Sequence, residues 1–317
     1  MHLIPKHGGA KVVQGAVLAA SQSRHLGFVT RFREKMADRK KPVVSVLNLT
    51  GQIAPNMGGG SAFGRNKNLN VDNLQTQIER AFAPKKLAQV LLKINSPGGT
   101  PSQCELISDL IWLKAKEKKV PVVSFVEDMA ASGGYWLACV GEKIFVTKTS
   151  TVGSIGVIYA NFGLDQFIQR YDISRRVITA GKSKSLMDPF QPTKDADVLL
   201  LQEILTNIHE TFKDHVRRSR QDRLKADDDT LFNGQIWVGQ KAVDLGLADG
   251  IDTINSYVDR EFGKTVQVIR VKGPSGPLSR LMGGAEFEFG GPSSMLSNSL
   301  TLRAVENETL LLNKFKM

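Results

Sequence analysis

The sequence is poor in the residues that mark a disulfide scaffold, a metal site or a membrane span. Its 317 residues include two cysteines, Cys104 and Cys139, which are too few for a disulfide framework and lack metal-ligand spacing. Both lie in apolar helical patterns, so we expect buried free thiols. No apolar run reaches the roughly eighteen residues of a transmembrane helix. Residues 12–20 are too short and lack the cleavage site of a secretory signal.

Histidine, the usual partner of a catalytic serine, is also scarce. The five histidines are His2, His7, His25, His209 and His215. Three of them lie in the N-terminal arm, and the other two lie on one long helical pattern. A Ser-His-Asp triad is therefore not expected.

Acidic residues are nearly absent from the first 41 residues, which contain nine Lys and Arg against Glu34 and Asp38. This arm carries +7 of the formal net charge of +11 and leaves +4 for the rest of the chain. The basic balance is therefore a property of the arm and does not indicate a core that binds nucleic acid. The arm fits a mitochondrial presequence and a peripheral contact with an anionic membrane equally well.

Strand-type and helical patterns alternate through the middle of the chain, which predicts an α/β fold of βαβ units with a parallel sheet. The predicted strands are 43–49, 87–94, 120–126, 143–147, the end of 150–160 and 176–179, and beyond 267–271 the chain loses its pattern. The predicted helices are 71–82, 102–118 with a Ser102 capping box, the segment after Ser132, 162–171 and 193–223, with a short helix within 232–251. We expect three regions, namely a basic arm (1–41), a central domain (42–255) and a largely flexible C-terminal extension (256–317).

The central stretch is residues 120–135, where an apolar strand passes through small residues into a helix. Such a turn places the Ser132 hydroxyl at a helix start, among backbone N–H groups that favour negative charge. Ser132 is therefore the candidate nucleophile. A Ser-Gly-Gly turn that only caps the helix fits the same pattern. Glu127 and Asp128 are expected to cap and pack rather than to catalyse.

Four motifs in order give a resemblance to the signal peptide peptidase A type serine proteases of peptidase family S49. They are INSPGG (94–99), DMAASGGY (128–135), TVGSIGV (151–157) and AGKSKSLMDPFQP (180–192). The resemblance covers roughly residues 42–255 and implies a ClpP/crotonase-like spiral of βαβ units with parallel sheets and flanking helices. It also implies a Ser/Lys dyad that requires neither a metal nor another cofactor.

The resemblance assigns roles by motif position. Lys184, three residues before Met187, matches the lysine base, with Lys182 as the competitor. A lysine base must be largely neutral, which burial against apolar surface favours. The backbone N–H groups of Gly98 or Gly99 and of Gly133 match the oxyanion donors. Ser154 either supports the lysine or is a structural turn residue.

These matches predict a serine endopeptidase for extended, mostly apolar peptides or membrane-protein fragments. Because the chain has one copy of each motif, the resemblance implies a homo-oligomer whose subunits share active sites. Two alternatives stay open, namely a catalytically weak scaffold of the same fold and a crotonase-type acyl-CoA enzyme. The second would need a Glu or Asp general acid/base in the site.

Overall fold

Apolar, largely β-branched runs form eight strands of one mixed sheet in the computed structural model, which describes residues 41–56 and 68–271. The strands are β1 (Val43–Thr50), β2 (Leu87–Ser96), β3 (Val122–Ala131), β4 (Lys143–Val146), β5 (Thr151–Gly153), β6 (Ile236–Val238), β7 (Gly250–Ile251) and β8 (Gln267–Arg270). All described residues belong to one unit, Met1–Gly273, and a second unit, Pro274–Met317, lies outside them.

Helices connect and cover these strands. They are α1 (Val71–Ala81), α2 (Pro101–Lys118), α3 (Gly133–Ala138), α4 (Asp165–Arg170), α5 (Asp195–Arg220), α6 (Asp228–Leu231), α7 (Gln240–Asp244) and α8 (Ile254–Phe262), with 3₁₀ turns at Gln221–Arg223 and Gly263–Thr265. The predicted Ser102 capping box is wrong. Helix α2 begins at Pro101, whose missing N–H suits a first turn, and its N-cap Thr100 makes no side-chain capping bond.

The main path of the sheet runs β6-β5-β3-β2-β1-β8, and β4 pairs with both β3 and β7. Each pair is parallel except β5 with β6, which is antiparallel. The α/β class, with parallel strands and flanking helices, is confirmed. Because parallel strands share a direction, the turns that follow β2 and β3 meet at the carboxyl edge of the sheet.

Side-chain alternation along the strands gives the sheet two apolar faces. In β1, Leu47 and Leu49 join the larger cluster, which includes buried side chains of α1, α2 and α3. Val44 and Val46 join the smaller cluster, which includes Tyr257 and Val258 of α8. The larger face positions the elements of the candidate site.

The segment between β5 and α5 differs most from the sequence-based expectation. Strand β5 ends at Gly153, and no strand forms over 155–160 or 176–179, so both predictions are wrong. Residues 176–179 are exposed and pair with no strand of the described sheet, so their β-branched side chains find no pleated surface to cover. The predicted helix over 162–171 shortens to α4.

The domain boundaries stay predictions. The arm up to residue 40 and residues 272–317 lie outside the described residues, whereas the predicted boundary at residue 255 falls within α8. Strand β8, beyond that boundary, pairs with β1. No helix in the described part of the chain has the length and apolar character to cross a membrane.

The C-terminal half of α5 packs on the larger face through Phe212, His215, Val216 and Arg220. The His215 ring stacks on Trp136 with centroids 4.4 Å apart, and its Nε2 lies 2.9 Å from the Trp136 carbonyl oxygen. Because a carbonyl only accepts, we assign the proton to Nε2. Burial lowers the pKa of His215 to about 4, so the ring is neutral in the folded protein at pH 7.

Acidification is expected to destabilise the fold through His215. Between its ordinary pKa of about 6.5 and its folded pKa of about 4, the unfolded chain binds the extra proton. The stability that His215 contributes is complete above pH 6.5 and is lost as the pH falls to 4, by about 3 kcal/mol. Urea unfolding at both pH values measures this loss. The difference between wild type and His215→Gln should shrink by that amount, and a constant difference would contradict the assignment.

Candidate active site

Ser132 occupies a strained turn between β3 and α3. Its φ of +51° and ψ of −124° are unusual for a residue with a side chain. Three backbone hydrogen bonds hold this conformation. The Ser132 N–H donates to Gly153 (2.8 Å), and its carbonyl accepts from Tyr135 (2.8 Å) and Trp136 (3.1 Å). Backbone strain of this kind concentrates at functional sites, where surrounding contacts enforce it.

The turn that follows β2 lies directly against the Ser132 turn. A Cβ atom added to Gly98, whose φ is +101°, would lie 2.7 Å from the Gly133 nitrogen and 2.8 Å from the Ser132 Cβ. A Cβ added to Gly99, whose φ is +146°, would lie 1.8 Å from the Ile53 carbonyl oxygen. Glycine is therefore required at both positions by close approach as well as by φ. The structure brings the two predicted glycine turns together.

The predicted oxyanion donors differ in their hydrogen bonding. The Gly98 N–H already donates to Ser96 Oγ at 3.1 Å. The Gly99 nitrogen lies 3.2 Å from the position that a Cβ on Gly133 would take. The backbone nitrogens of Gly99 and Gly133 thus lie near each other beside the Ser132 turn.

Ser132 opens into a cavity of about 560 Å³. Ser154 lines the same cavity, with a φ of +52° and an N–H that donates to the Gln235 carbonyl at 2.7 Å. The other side chains that line it are mostly apolar and include Pro97, Pro101, Trp136, Val157, Ile158, Ile208 and Phe212. A cavity with a hydroxyl at one side and apolar walls suits an apolar side chain of a peptide.

Most residues that line this cavity were not predicted as site residues, and three of them show which distant elements contribute. Cys104 comes from α2, Phe212 from α5, and Asn233 from the turn before β6. The Cys104 sulfur lies 2.5 Å from the position of a Cβ on Gly133, so it packs behind the Ser132 turn. Burial raises the pKa of this thiol to about 12, which keeps it protonated. Cys104 and Cys139 are both buried free thiols, as predicted.

Lys184 does not line the Ser132 cavity within this chain. Lys184 and Lys182 are both exposed, on a run of turns between Gly181 and Met187. That run is held by an ion pair between Arg175 and Asp188 (3.0 Å). It is also held by a hydrogen bond from Leu164 N–H to the Pro189 carbonyl (2.6 Å). The lysine motif is thus anchored to its own segment rather than to the Ser132 turn.

The remaining candidates have structural partners. The His209 Nε2 lies 3.1 Å from the Ile155 carbonyl oxygen, and Glu127 forms an ion pair with Lys93 at 3.1 Å. Asp128 accepts a hydrogen bond from the Asn95 amide. Glu127 and Asp128 lie within β3, where Glu127 is half-buried and Asp128 is exposed, so neither caps a helix. Within residues 41–56 and 68–271, no group of three or more His, Cys, Asp or Glu is placed to hold a metal ion.

Comparisons with known proteins show which family this chain matches. The family described as Peptidase family S49 matches residues 114–265, a range that contains Ser132 and Lys184. A Brucella abortus protein named Na(+)/H(+) antiporter NhaA is 38% identical over 247 residues, which cover 78% of this chain and 33% of that protein. A signal peptide peptidase SppA from Enterococcus faecium is 30% identical over 227 residues, which cover 71% of this chain and 64% of that protein.

The protease SohB from Haemophilus influenzae is 29% identical over 240 residues, which cover 75% of this chain and 63% of that protein. The chain thus spans between a third and just under two thirds of the length of these relatives. The family match contains three of the four sequence motifs, those at 128–135, 151–157 and 180–192. The chain thus matches peptidase family S49 over residues 114–265 and is similar to the SppA and SohB proteases.

Proposed function

We propose that this chain is a serine endopeptidase that uses Ser132 as the nucleophile and Lys184 as the general base, without ATP, a metal or another cofactor. The observation that carries the proposal is the strained Ser132 turn, which lies against the Gly98–Gly99 turn at an apolar cavity. The protease names of the SppA and SohB relatives support the same reaction class.

The proposed reaction proceeds through an acyl-enzyme. Neutral Lys184 Nζ takes the proton as Ser132 Oγ attacks the peptide carbonyl, and the oxyanion forms beside the N–H groups of Gly99 and Gly133. Lys184 then returns the proton to the leaving amine. Water, deprotonated by the same lysine, hydrolyses the ester and frees Ser132. Ser154, on the cavity wall, would help to orient the lysine.

A second subunit would supply the lysine. In one chain Lys184 is exposed, so a partner must cover it to give the apolar surroundings that favour a neutral amine. Many large apolar side chains on the same part of the chain are also exposed, and we call them the outer apolar surface. They are Ile158, Phe162, Phe167, Tyr171, Ile173, Ile178, Leu199 and Ile204. A surface of this kind marks an interaction site, and a homo-oligomer with shared active sites would cover it.

The cavity supports a substrate class. Its walls of Trp136, Ile158, Ile208 and Phe212 suit an apolar side chain next to the scissile bond. The substrates would therefore be extended, mostly apolar peptides, including fragments of membrane proteins.

Trapping of the acyl-enzyme tests the proposal. Wild-type protein in a metal chelator, without nucleotide, should cleave an apolar fluorogenic peptide. The protein is then allowed to react with a p-nitrophenyl ester of an N-acyl apolar amino acid, and the reaction is stopped with acid. Peptide mass mapping should find the acyl group on Ser132. Ser154→Ala is the matched control and should still be acylated at Ser132. An acyl group on another residue would overturn the nucleophile, and an inactive wild type would favour the scaffold alternative.

A further inference from the structure

Lysines gather at the amino ends of five neighbouring parallel strands. They are Lys264 before β8, Lys41 before β1, Lys85 and Lys86 before β2, Lys118 and Lys119 before β3, and Lys143 at the start of β4. We call these seven residues the basic edge. It lies at the end of the sheet opposite to the carboxyl edge, where the Ser132 turn lies.

Strand register places most of these lysines level with one another. Val43 pairs with Leu87 on one side and with Gln267 on the other, so β1, β2 and β8 start in one row. The turns before these strands are also linked. The Gln267 N–H donates to the Pro42 carbonyl (2.9 Å), and the Val43 N–H donates to the Lys86 carbonyl (2.8 Å). At about 4.8 Å between strands, the basic edge is about 20 Å wide.

The seven lysines of the basic edge outnumber the exposed acids near them in the chain. These acids are Glu79, Glu117, Glu142, Asp259 and Glu261. Glu117 forms ion pairs with Lys114 (3.1 Å) and Lys118 (3.4 Å). The arm of residues 1–41, with its charge of +7, joins the sheet at this same edge. An anionic surface attracts both the basic arm and the basic edge.

The composition of the edge favours a lipid bilayer over a nucleic acid. Its charges are lysines, which act as point charges on phosphate groups and lack the planar fork with which Arg reads bases. The exposed large aromatic side chains of the described residues lie at 159–171, away from this edge, so it offers no base-stacking platform. Leu113, five residues before the end of α2, is 61% exposed and could enter a headgroup layer beside the lysines.

We propose that the basic edge docks on a bilayer that contains anionic lipids. The inference does not depend on the proposed protease reaction, because none of the seven lysines belongs to the candidate active site. Strand β3 is 10 residues long, so docking holds the Ser132 turn about 30 Å above the surface. The cavity then faces away from the bilayer and is open to segments that extend from it.

Vesicle sedimentation of the full chain tests the docking. Wild type should bind vesicles of phosphatidylserine and phosphatidylcholine and should be released by high salt. The variant Lys85→Gln/Lys119→Gln/Lys264→Gln removes one exposed lysine from each of three strand ends. It should bind about a hundredfold more weakly, because each lysine near an anionic surface contributes about fivefold. Vesicles of phosphatidylcholine alone should bind neither protein.

The matched control is Lys148→Gln/Lys194→Gln/Lys241→Gln, which removes three exposed lysines outside the basic edge. It loses the same net charge and should bind like wild type. Unchanged vesicle binding by the edge variant would assign all membrane contact to the arm. An equal loss of vesicle affinity in both variants would show that only the net charge of the protein matters. Wild type could instead bind a single-stranded oligonucleotide more tightly than the edge variant does and bind no vesicles. The ligand of the basic edge would then be a nucleic acid and not a bilayer. Each of these results overturns the proposal.

Discussion

An equimolar mixture of Ser132→Ala and Lys184→Ala subunits, unfolded and reassembled together, is expected to recover about one quarter of the wild-type peptidase activity. If Ser132 of one subunit works with Lys184 of the next, half of the subunits carry the serine and half of their neighbours carry the lysine. Random assembly therefore makes a quarter of the junctions complete. Each variant alone should fall below about a thousandth of the wild-type kcat/KM, because nucleophile and base act as one unit.

Cleavage of an apolar fluorogenic peptide measures both effects, with reassembled wild type as the reference. Lys182→Ala is the matched lysine control and should keep its activity. Loss of activity in Lys182→Ala with retention in Lys184→Ala would transfer the base to Lys182. A mixture without recovery, beside an active reassembled wild type, would place both groups in one subunit and would remove the reason for shared sites.

Replacement of Asp249 by alanine is expected to lower the free energy of unfolding by about 3–5 kcal/mol. The Arg220 side chain is fully buried, and its Nη1 and Nη2 donate to the two oxygens of Asp249 at 2.7 and 3.0 Å. The same carboxylate accepts the Ile144 N–H at 2.7 Å. The alanine variant would leave a guanidinium group and a backbone N–H without their carboxylate. Such a loss is a large fraction of the stability of an ordinary domain.

Urea unfolding followed by circular dichroism measures this change. Asp214→Ala removes the same charge from an exposed ion pair with Arg217, in which 65% of the Asp214 side chain is accessible. This control should cost less than about 1 kcal/mol, because water screens the pair and solvates the remaining group. Equal losses in the two variants would show that burial does not decide the energetics of Asp249.

The features that the sequence predicted well are those that neighbouring residues determine. The strand and glycine turn around Ser132 were predicted because an apolar run followed by small residues has few other conformations. The helix start at Pro101 was missed by one residue because capping depends on which side chain reaches a free N–H. The strand predicted at 176–179 does not form, because a strand also needs an adjacent strand to pair with. The apolar pattern of a segment does not show whether such a partner is present.

The candidate site could be predicted only in part for a related reason. Motif order identified Ser132, Gly98 and Gly99, which meet because β2 and β3 are neighbours in a parallel sheet. Cys104 and Phe212 approach the turn through the packing of α2 and α5, and their apolar helical patterns are the same as those of ordinary core residues. Lys184 differs from Cys104 and Phe212, because its motif is recognised in the sequence but its side chain does not line the cavity of its own chain.

The positive φ of Ser132 has a consequence for the evolutionary history of such a chain. Glycine adopts that backbone conformation without strain, whereas serine holds it at a cost of roughly 1 kcal/mol or more. A drift from serine to glycine would therefore relax the fold while it removes the hydroxyl. In a lineage under selection for assembly alone, stability would favour this replacement. A serine at this position thus keeps its hydroxyl against the preference of the backbone.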